Sequence, residues 1–385
     1  MSTSDARGGG APGGAAAGDG VGGRPPAQLP LTGVRVVELA GIGPAPFCGM
    51  LLADAGAHVT VVRRPGGHPD AWGSSPVLDR NRAATIEADL KAPDGVAEVL
   101  DLVRDADALI EGFRPGVTER LGLGPADCLA RNPRLVYGRM TGWGQEGPRA
   151  DTAGHDLTYL ATTGVLHAIG RPGQPPVPPL NLLGDFGGGG ALLAFGVVCA
   201  ILHAHATGRG QLVDAAIVDG VNALAGMVHG MLGRGEWEDR RGVNLLDGGA
   251  PFYDVYRCAD GRHVAVGALE SRFYRLLLDG LGLAHDLACA GDHLDRGRWP
   301  AIRARLTETF ASRTRDEWAA RFDGTDACVA PVLSFEEAAG DPHNVARRLH
   351  RRVDGVVQPA PAPRFAPMPE PPAAPARTTP TRGTS

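Results

Sequence analysis

Lysine is all but missing from this chain. Of its 38 basic residues one, Lys91, is a lysine. With the richness in alanine, glycine and proline, that skew reads as codon composition rather than function. Aromatics are scarce at 5%, so an aliphatic core is expected. The cysteines, Cys48, Cys128, Cys199, Cys258, Cys289 and Cys328, form no Cys-x-x-Cys pair. That indicates neither a metal knuckle nor a disulfide framework, and free thiols in a reducing compartment fit best. No apolar run reaches the roughly 18 residues of a spanning helix. The nearest, 191 to 202, reads as a core helix, so no membrane partner is expected. The first residues lack a signal peptide's apolar core, which makes the cytoplasm the expected location. A net charge of −5 gives no sign of a nucleic-acid footprint.

What is present suffices for a large core. The 385 residues are 43% hydrophobic and can hold one large or two ordinary domains. Residues 1–29, mostly Gly, Ala, Pro and Ser, read as a disordered leader. Then strand and helix alternate: a strand at 34–39, a helix at 46–55 and a strand at 58–62. A second such unit follows, with a strand at 83–89, a helix at 93–104 and a strand at 108–111. The natural setting is a parallel sheet. Gly41 and Gly43 give half of a dinucleotide fingerprint. Arg63 and Arg64 stand where an NAD site carries an acid, which suits a nucleotide with a ribose phosphate, NADP or coenzyme A. Residues 135–140 read as a further strand, 191–205 as a buried helix, 211–219 as a strand or mixed segment and 220–232 as a helix. Near 240 the pattern changes to a hairpin (250–258 and 263–266), helices at 271–281, 299–310 and 315–322, and a strand at 327–333. From Val357 on, the Pro/Ala-rich chain is expected to be extended or disordered.

The chain is organised around residues 154–190. Gly154-His155-Asp156 opens the stretch, and Leu183-Gly184-Asp185-Phe186 leads into the glycines Gly187 to Gly190. A histidine and a carboxylate on ordered loops suit acid/base chemistry. An Asp before a glycine run is also a common helix cap.

Several long motifs occur in one order: VRVVELAGIGPAPF (34–47), EADLK (87–91), EGFRPGVTERLGLGP (111–125), YGRMTGWGQEGPR (137–149), AGHDLTYLA (153–161), PPLNLLGDFGGGG (178–190) and TGRGQLVDAAIVDG (207–220). Through them, from about residue 30 to 345, the chain resembles the family III CoA transferases, and within these the bacterial α-methylacyl-CoA racemases. The resemblance implies an α/β fold: a Rossmann-like large domain with a parallel sheet (30–220), a linker (221–249) and a smaller α+β domain (250–345). Residues 346–385 would return to the large domain and end in a Pro-rich disordered tail. It also implies an interlocked homodimer, with each active site between one chain's large domain and the other's small domain.

The same resemblance makes an acyl-CoA thioester the substrate, with no cofactor and no metal. CoA contacts carry over to Ile42, Arg64, Ala88, Leu90, Lys91, Gly112, Phe113, Arg114, Arg120, Met140 and Tyr159, and Gly154 adjoins them. Arg64, Lys91, Arg114 and Arg120 suit phosphates. The implied reaction interconverts (R)- and (S)-2-methylacyl-CoA. His155 removes the α-proton of the S form and Asp185 supplies one from the other side. Glu270, from the partner's small domain, would hold the histidine's tautomer, and Asp156 would hydrogen-bond the thioester region. Backbone N–H groups near Asp185 are expected to meet the enolate oxygen, with Gly187 to Gly190 letting backbone approach the acyl-CoA. Three other readings stand beside this one: a family III CoA transferase with Asp185 as nucleophile, an NADP-dependent reductase, and a non-catalytic acyl-CoA binder. His155 separates racemase from transferase, which does not need it.

Overall fold

A computed structural model describes residues 29–66 and 77–368. The expected disordered leader, save Leu29, and the end of the Pro-rich tail lie outside the described residues.

The first half alternates strand and helix. β1 (Arg35–Leu39), α1 (Pro44–Asp54), β2 (His58–Arg63), β3 (Ala84–Glu87), α2 (Pro93–Arg104), β4 (Ala108–Glu111), α3 (Val117–Arg120), α4 (Pro125–Arg131) and β5 (Val136–Thr141) follow in turn. Prolines open α1, α2 and α4, where a missing N–H leaves no helical bond unmade. Next come α5 (Asp156–Thr162), α6 (Val165–Ala168), a π-helix (Leu183–Ala191), α7 (Leu192–Thr207) and β6 (Leu212–Ala216). The six strands make one parallel sheet in the order β3-β2-β1-β4-β5-β6.

Both faces of this sheet are covered, as parallel strands require. Val36, Val59, Ala108, Ile110 and Val136 join a core with α1 and α7. Val37, Val62, Leu109 and Tyr137, on the other face of the same strands, join a second core with α2 and α4. The strand order reverses between β1 and β4. Outside the carboxyl ends of strands at such a point, open α/β sheets hold their ligands.

The rest of the chain adds α8 (Ile217–Leu224), α9 (Gly226–Gly233), β7 (Tyr253–Arg257), β8 (His263–Gly267), α10 (Ser271–Leu281), α11 (Trp299–Phe310), α12 (Arg315–Phe322), β9 (Val329–Pro331), α13 (Phe335–Gly340), α14 (Pro342–Ala346), β10 (His350–Val353) and β11 (Val356–Pro359). β7, β8 and β9 form an antiparallel sheet backed by α10 to α12. Its core gathers Phe252, Tyr256, Tyr274, Trp299, Phe310, Trp318 and Phe322. The scarce aromatics are thus concentrated here, and the expected aliphatic core holds only for the parallel sheet.

Several local details are finer than the sequence suggests. The segment 211–219 is β6 followed at once by α8, and 220–232 is two helices, the tail of α8 and α9. Val221, expected to begin a linker, is buried against Gly188 of the π-helix. Ahead of the Pro/Ala-rich segment that starts at Val357, and running into it, β10 and β11 pair as a hairpin turned at Asp354 (φ 48) and Gly355 (φ 79). Asp-Gly with both residues at positive φ suits a two-residue hairpin turn. Arg80, bonded to Asp54 of α1, donates to the Pro359 oxygen at 2.9 Å and ties this hairpin to the parallel-sheet unit. Finally, Leu180–Thr207 is a run of 28 residues, helical from Leu182 on after a kink at Leu180 (φ 61) and Asn181, and it is long and apolar enough to cross a membrane. Its glycines extend the helix without adding an apolar side chain, so the sequence shows a shorter run. It packs on β5 and β6, between α1 and α8.

Candidate active site

A cavity of about 910 Å³ opens outside the carboxyl ends of β1, β4 and β5. Ile42 and Gly43 reach it from the turn after β1, Gly112 to Pro115 from the loop after β4, and Met140 to Trp143 from the end of β5. Gly154, His155 and Tyr159 close one side, Asn181 and Asp185 another.

Asp185 sits in the π-helix, a rare conformation that recurs at functional sites. The glycine run explains how so wide a helix is packed. A Cβ on Gly190 would lie 2.5 Å from the Pro44 oxygen, and one on Gly188 2.7 Å from the Val221 side chain. On the facing helix, a Cβ at Gly220 would lie 1.8 Å from the Gly188 oxygen. Gly188, Gly189 and Gly190 are therefore pressed against α1 and α8, and none of the four glycines lines the cavity. This corrects the expectation that the run is a floor for the acyl-CoA. Phe186 stacks on Phe47 at 4.5 Å.

Burial pushes the Asp185 carboxyl up to about 6, and the nearby Asp156 carboxylate pushes the same way. A hydrogen bond from Asn181 and the field of His155 act against them without cancelling the rise. Asp185 thereby reaches the range, ~6.5, in which free imidazoles titrate.

His155 precedes α5. Its backbone N–H donates to Thr158 Oγ1 at 2.9 Å, and that hydroxyl donates to the His155 carbonyl at 2.7 Å. The main chain is fixed while the side chain stays exposed at the cavity. Tyr159, one turn on, donates its hydroxyl to the Gly154 oxygen at 2.5 Å and meets Trp143 edge-on at 4.8 Å. A Cβ at Gly142 would lie 2.0 Å from the Tyr159 ring, so the ring fills the space glycine leaves.

Asp156 is turned towards the backbone of the π-helix. It is not among the cavity-lining residues. Its Oδ1 accepts the Asp185 amide N–H at 2.7 Å, and its carboxylate accepts that of Gly184 as well. Those two N–H groups, expected to meet the enolate oxygen, are already engaged.

The loop after β4 is held from below. Glu111, 1% exposed, accepts the Phe113 N–H at 2.7 Å and Arg139 Nε at 3.1 Å. Burial pushes the Glu111 carboxyl up to about 7 against the pull of these donors. Arg139 also pairs with Glu119 at 2.8 Å, and so binds β4, β5 and α3 into one support.

Of the residues singled out in the sequence, Ile42, Gly112, Phe113, Arg114, Met140, Gly154, His155, Tyr159 and Asp185 converge on the cavity. Arg64, Ala88, Leu90 and Lys91 do not line it. They follow β2 and β3, the neighbouring strands, at the same end of the sheet. Arg64 and Lys91 are exposed, whereas Arg63 is paired with Asp79 at 2.8 Å. Arg120 lies over Gly116, in the loop that ends the cavity wall. Glu270 stands exposed before α10, away from this chain's own cavity lining. Sequence reasoning missed Asn181 and Trp143. Asn181 lies at the kink just before the π-helix that carries Asp185, and its side chain hydrogen-bonds that carboxylate.

A family model described as CoA-transferase family III matches residues 31–385. The chain is 46% identical over 319 residues to alpha-methylacyl-CoA racemase of Homo sapiens, spanning 83% of this chain and 82% of the relative. It is 35% identical over 341 residues to succinyl-CoA–D-citramalate CoA-transferase of Chloroflexus aurantiacus, spanning 84% and 83%. Among solved structures it is similar to a CaiB/BaiF family protein of Brucella suis, with TM-score 0.75, 26% identity, and coverage of 88% and 93%. Together with the cavity built on β1, β4 and β5, these likenesses settle the matter that the motifs raised: the chain belongs to CoA-transferase family III.

Proposed function

We propose that this chain is a racemase that interconverts (R)- and (S)-2-methylacyl-CoA thioesters by 1,1-proton transfer. One observation carries the reading: His155 and Asp185 line one cavity, and Asp185 is held near 6. Inverting a carbon needs a proton taken from one face and another given to the opposite face. Two unlike acid/base groups, one on each face, do this in both directions. His155, neutral, takes the α-proton of the S thioester, and the electrons move into the C–O bond to give an enolate. Asp185, protonated, returns a proton to the other face, and the roles reverse for the R thioester.

The remaining assignments are part of the same proposal. Arg64, Lys91, Arg114 and Arg120 would meet the phosphates of coenzyme A. Glu270 would reach His155 from the partner subunit of an interlocked homodimer. Exposed apolar side chains on α7, α8 and α9, among them Phe195, Leu202, Leu224 and Met227, support a covered face. The reaction as written draws on no cofactor, and its substrate places it in lipid metabolism. Six cysteines without a disulfide support a reducing, cytoplasmic setting.

The family also contains transferases, in which Asp185 would be acylated. His155 favours the racemase. Incubation with (S)-2-methylacyl-CoA in deuterated water tests the choice. Exchange of the α-hydrogen with formation of the R isomer supports the racemase, whereas transfer of coenzyme A to a second acid, with release of the free 2-methyl acid and no exchange, supports the transferase.

A further inference from the structure

Asp156 is adjacent to one proposed acid/base residue and hydrogen-bonded to the backbone of the other. Twenty-nine positions separate it from Asp185 in sequence, yet its Oδ1 lies 2.7 Å from the Asp185 amide nitrogen. Next to this bond the chain has made room. A Cβ on Gly184 would stand 2.2 Å from Asp156 Oδ1 and 3.0 Å from its Cγ. Gly184 is buried and its φ is not positive, so glycine is required there for the approach of the carboxylate and not for the backbone angle. The carboxylate thus joins the first residue of α5 to the first turn of the π-helix.

We propose that Asp156 is a positioning residue: by clasping the amides of Gly184 and Asp185 it sets the gap across which His155 and Asp185 face the substrate's α-carbon. This rests on the racemase reading above. The clasp acts in two ways. It fixes distance, because the side chain of Asp156 is one residue from His155 and its partner N–H belongs to Asp185. It also sets charge, because the carboxylate lies beside Asp185 and holds its proton more firmly. Among the described residues, the other titratable groups that face Asp185 are His155, just before α5, and Tyr159 of α5; the turn before α1 contributes Gly43.

Two substitutions separate these effects. Asp156→Ala removes clasp and charge. Asp156→Asn keeps an oxygen that accepts an amide N–H and removes the charge alone. In a racemisation assay with (S)-2-methylacyl-CoA, Asp156→Ala is expected to lower kcat about a hundredfold, the scale of a 1 Å misplacement, with KM within about threefold. Asp156→Asn is expected to recover at least a tenth of kcat and to move the pH optimum of kcat/KM downward, since Asp185 then loses a neighbour that raises it. Gly184→Ala, whose methyl pushes the carboxylate away while leaving its charge in place, is expected to behave like Asp156→Ala. Thermal melting of each variant separates misfolding from misplacement. A folded Asp156→Ala with kcat near that of the unsubstituted chain overturns the proposal, as does an Asp156→Asn optimum that stays or rises. If the unsubstituted chain does not racemise, the functional reading fails first and the inference fails with it.

Discussion

Asn181→Ala is the substitution whose effect can be worked furthest. Asn181 donates a hydrogen bond to the Asp185 carboxylate and so favours its ionised form. Such a bond to a charged group is worth about 1.5–3 kcal/mol. Asp185 is half-buried, and solvent screening takes the effect to the lower end. About 1.4 kcal/mol corresponds to one pKa unit. Loss of the bond destabilises the carboxylate, so the Asp185 pKa moves up, by about one unit from about 6. The active pair carries one proton between its two members, and the limbs of a bell-shaped profile belong to the pair. The optimum lies midway between the limbs, so it moves by half the change in one member, about 0.5 unit upward. The assay is kcat/KM for racemisation across pH, with α-hydrogen exchange as a second readout. An optimum that is unmoved or lowered would show that Asn181 does not restrain the Asp185 proton, and would undo this use of the site geometry.

Other outcomes follow from the same structure. His155→Ala should nearly abolish inversion while coenzyme A affinity stays within about tenfold, read by calorimetric titration; loss of binding would make His155 structural. Arg139→Leu leaves Glu111 buried without its cation and should destabilise the fold by about 3–5 kcal/mol in a denaturant titration, since breaking one half of a buried pair strands the other. Gly220→Ala drives a methyl into the Gly188 oxygen and should cost about 1–3 kcal/mol in the same assay, with a tenfold or greater loss of kcat because the π-helix carries Asp185. If Glu270 acts across an interlocked dimer, equal mixing of His155→Ala and Glu270→Ala chains before refolding should restore about a quarter of full activity, since half the dimers then hold one intact site. No recovery would place both residues in one subunit's site.

How much of this was visible in the sequence differs by element. The helix at 93–104 and the strand at 108–111 stand at the expected bounds, as do the helices at 271–281, 299–310 and 315–322. These segments have clear periodicity and Pro, Ser or Thr at or next to their starts, so local signals agree with the fold. The convergence of His155 and Asp185 on one cavity came through the resemblance, because pairing across 29 intervening positions has no local signature. The π-helix was hidden for a physical reason. Glycine carries little helical propensity, and what makes the run helical is the close approach of α1 and α8, which only the folded chain shows. The bonds of Asp156 were hidden for a related reason, since its partners are backbone N–H groups from a distant segment. The β10–β11 turn carries a local signal, Asp354-Gly355, just before the Pro/Ala-rich segment that starts at Val357.

The central claim is that His155 and Asp185 work on opposite faces of one α-carbon. The most direct measurement is a time course with (S)-2-methylacyl-CoA in deuterated water, with deuterium at the α-carbon followed by NMR and configuration by chiral separation. The account predicts that deuterium enters the α-position while the R isomer accumulates towards an equal mixture, and that His155→Ala and Asp185→Asn each stop the inversion. An α-hydrogen that stays in place, with no R isomer formed, would contradict it.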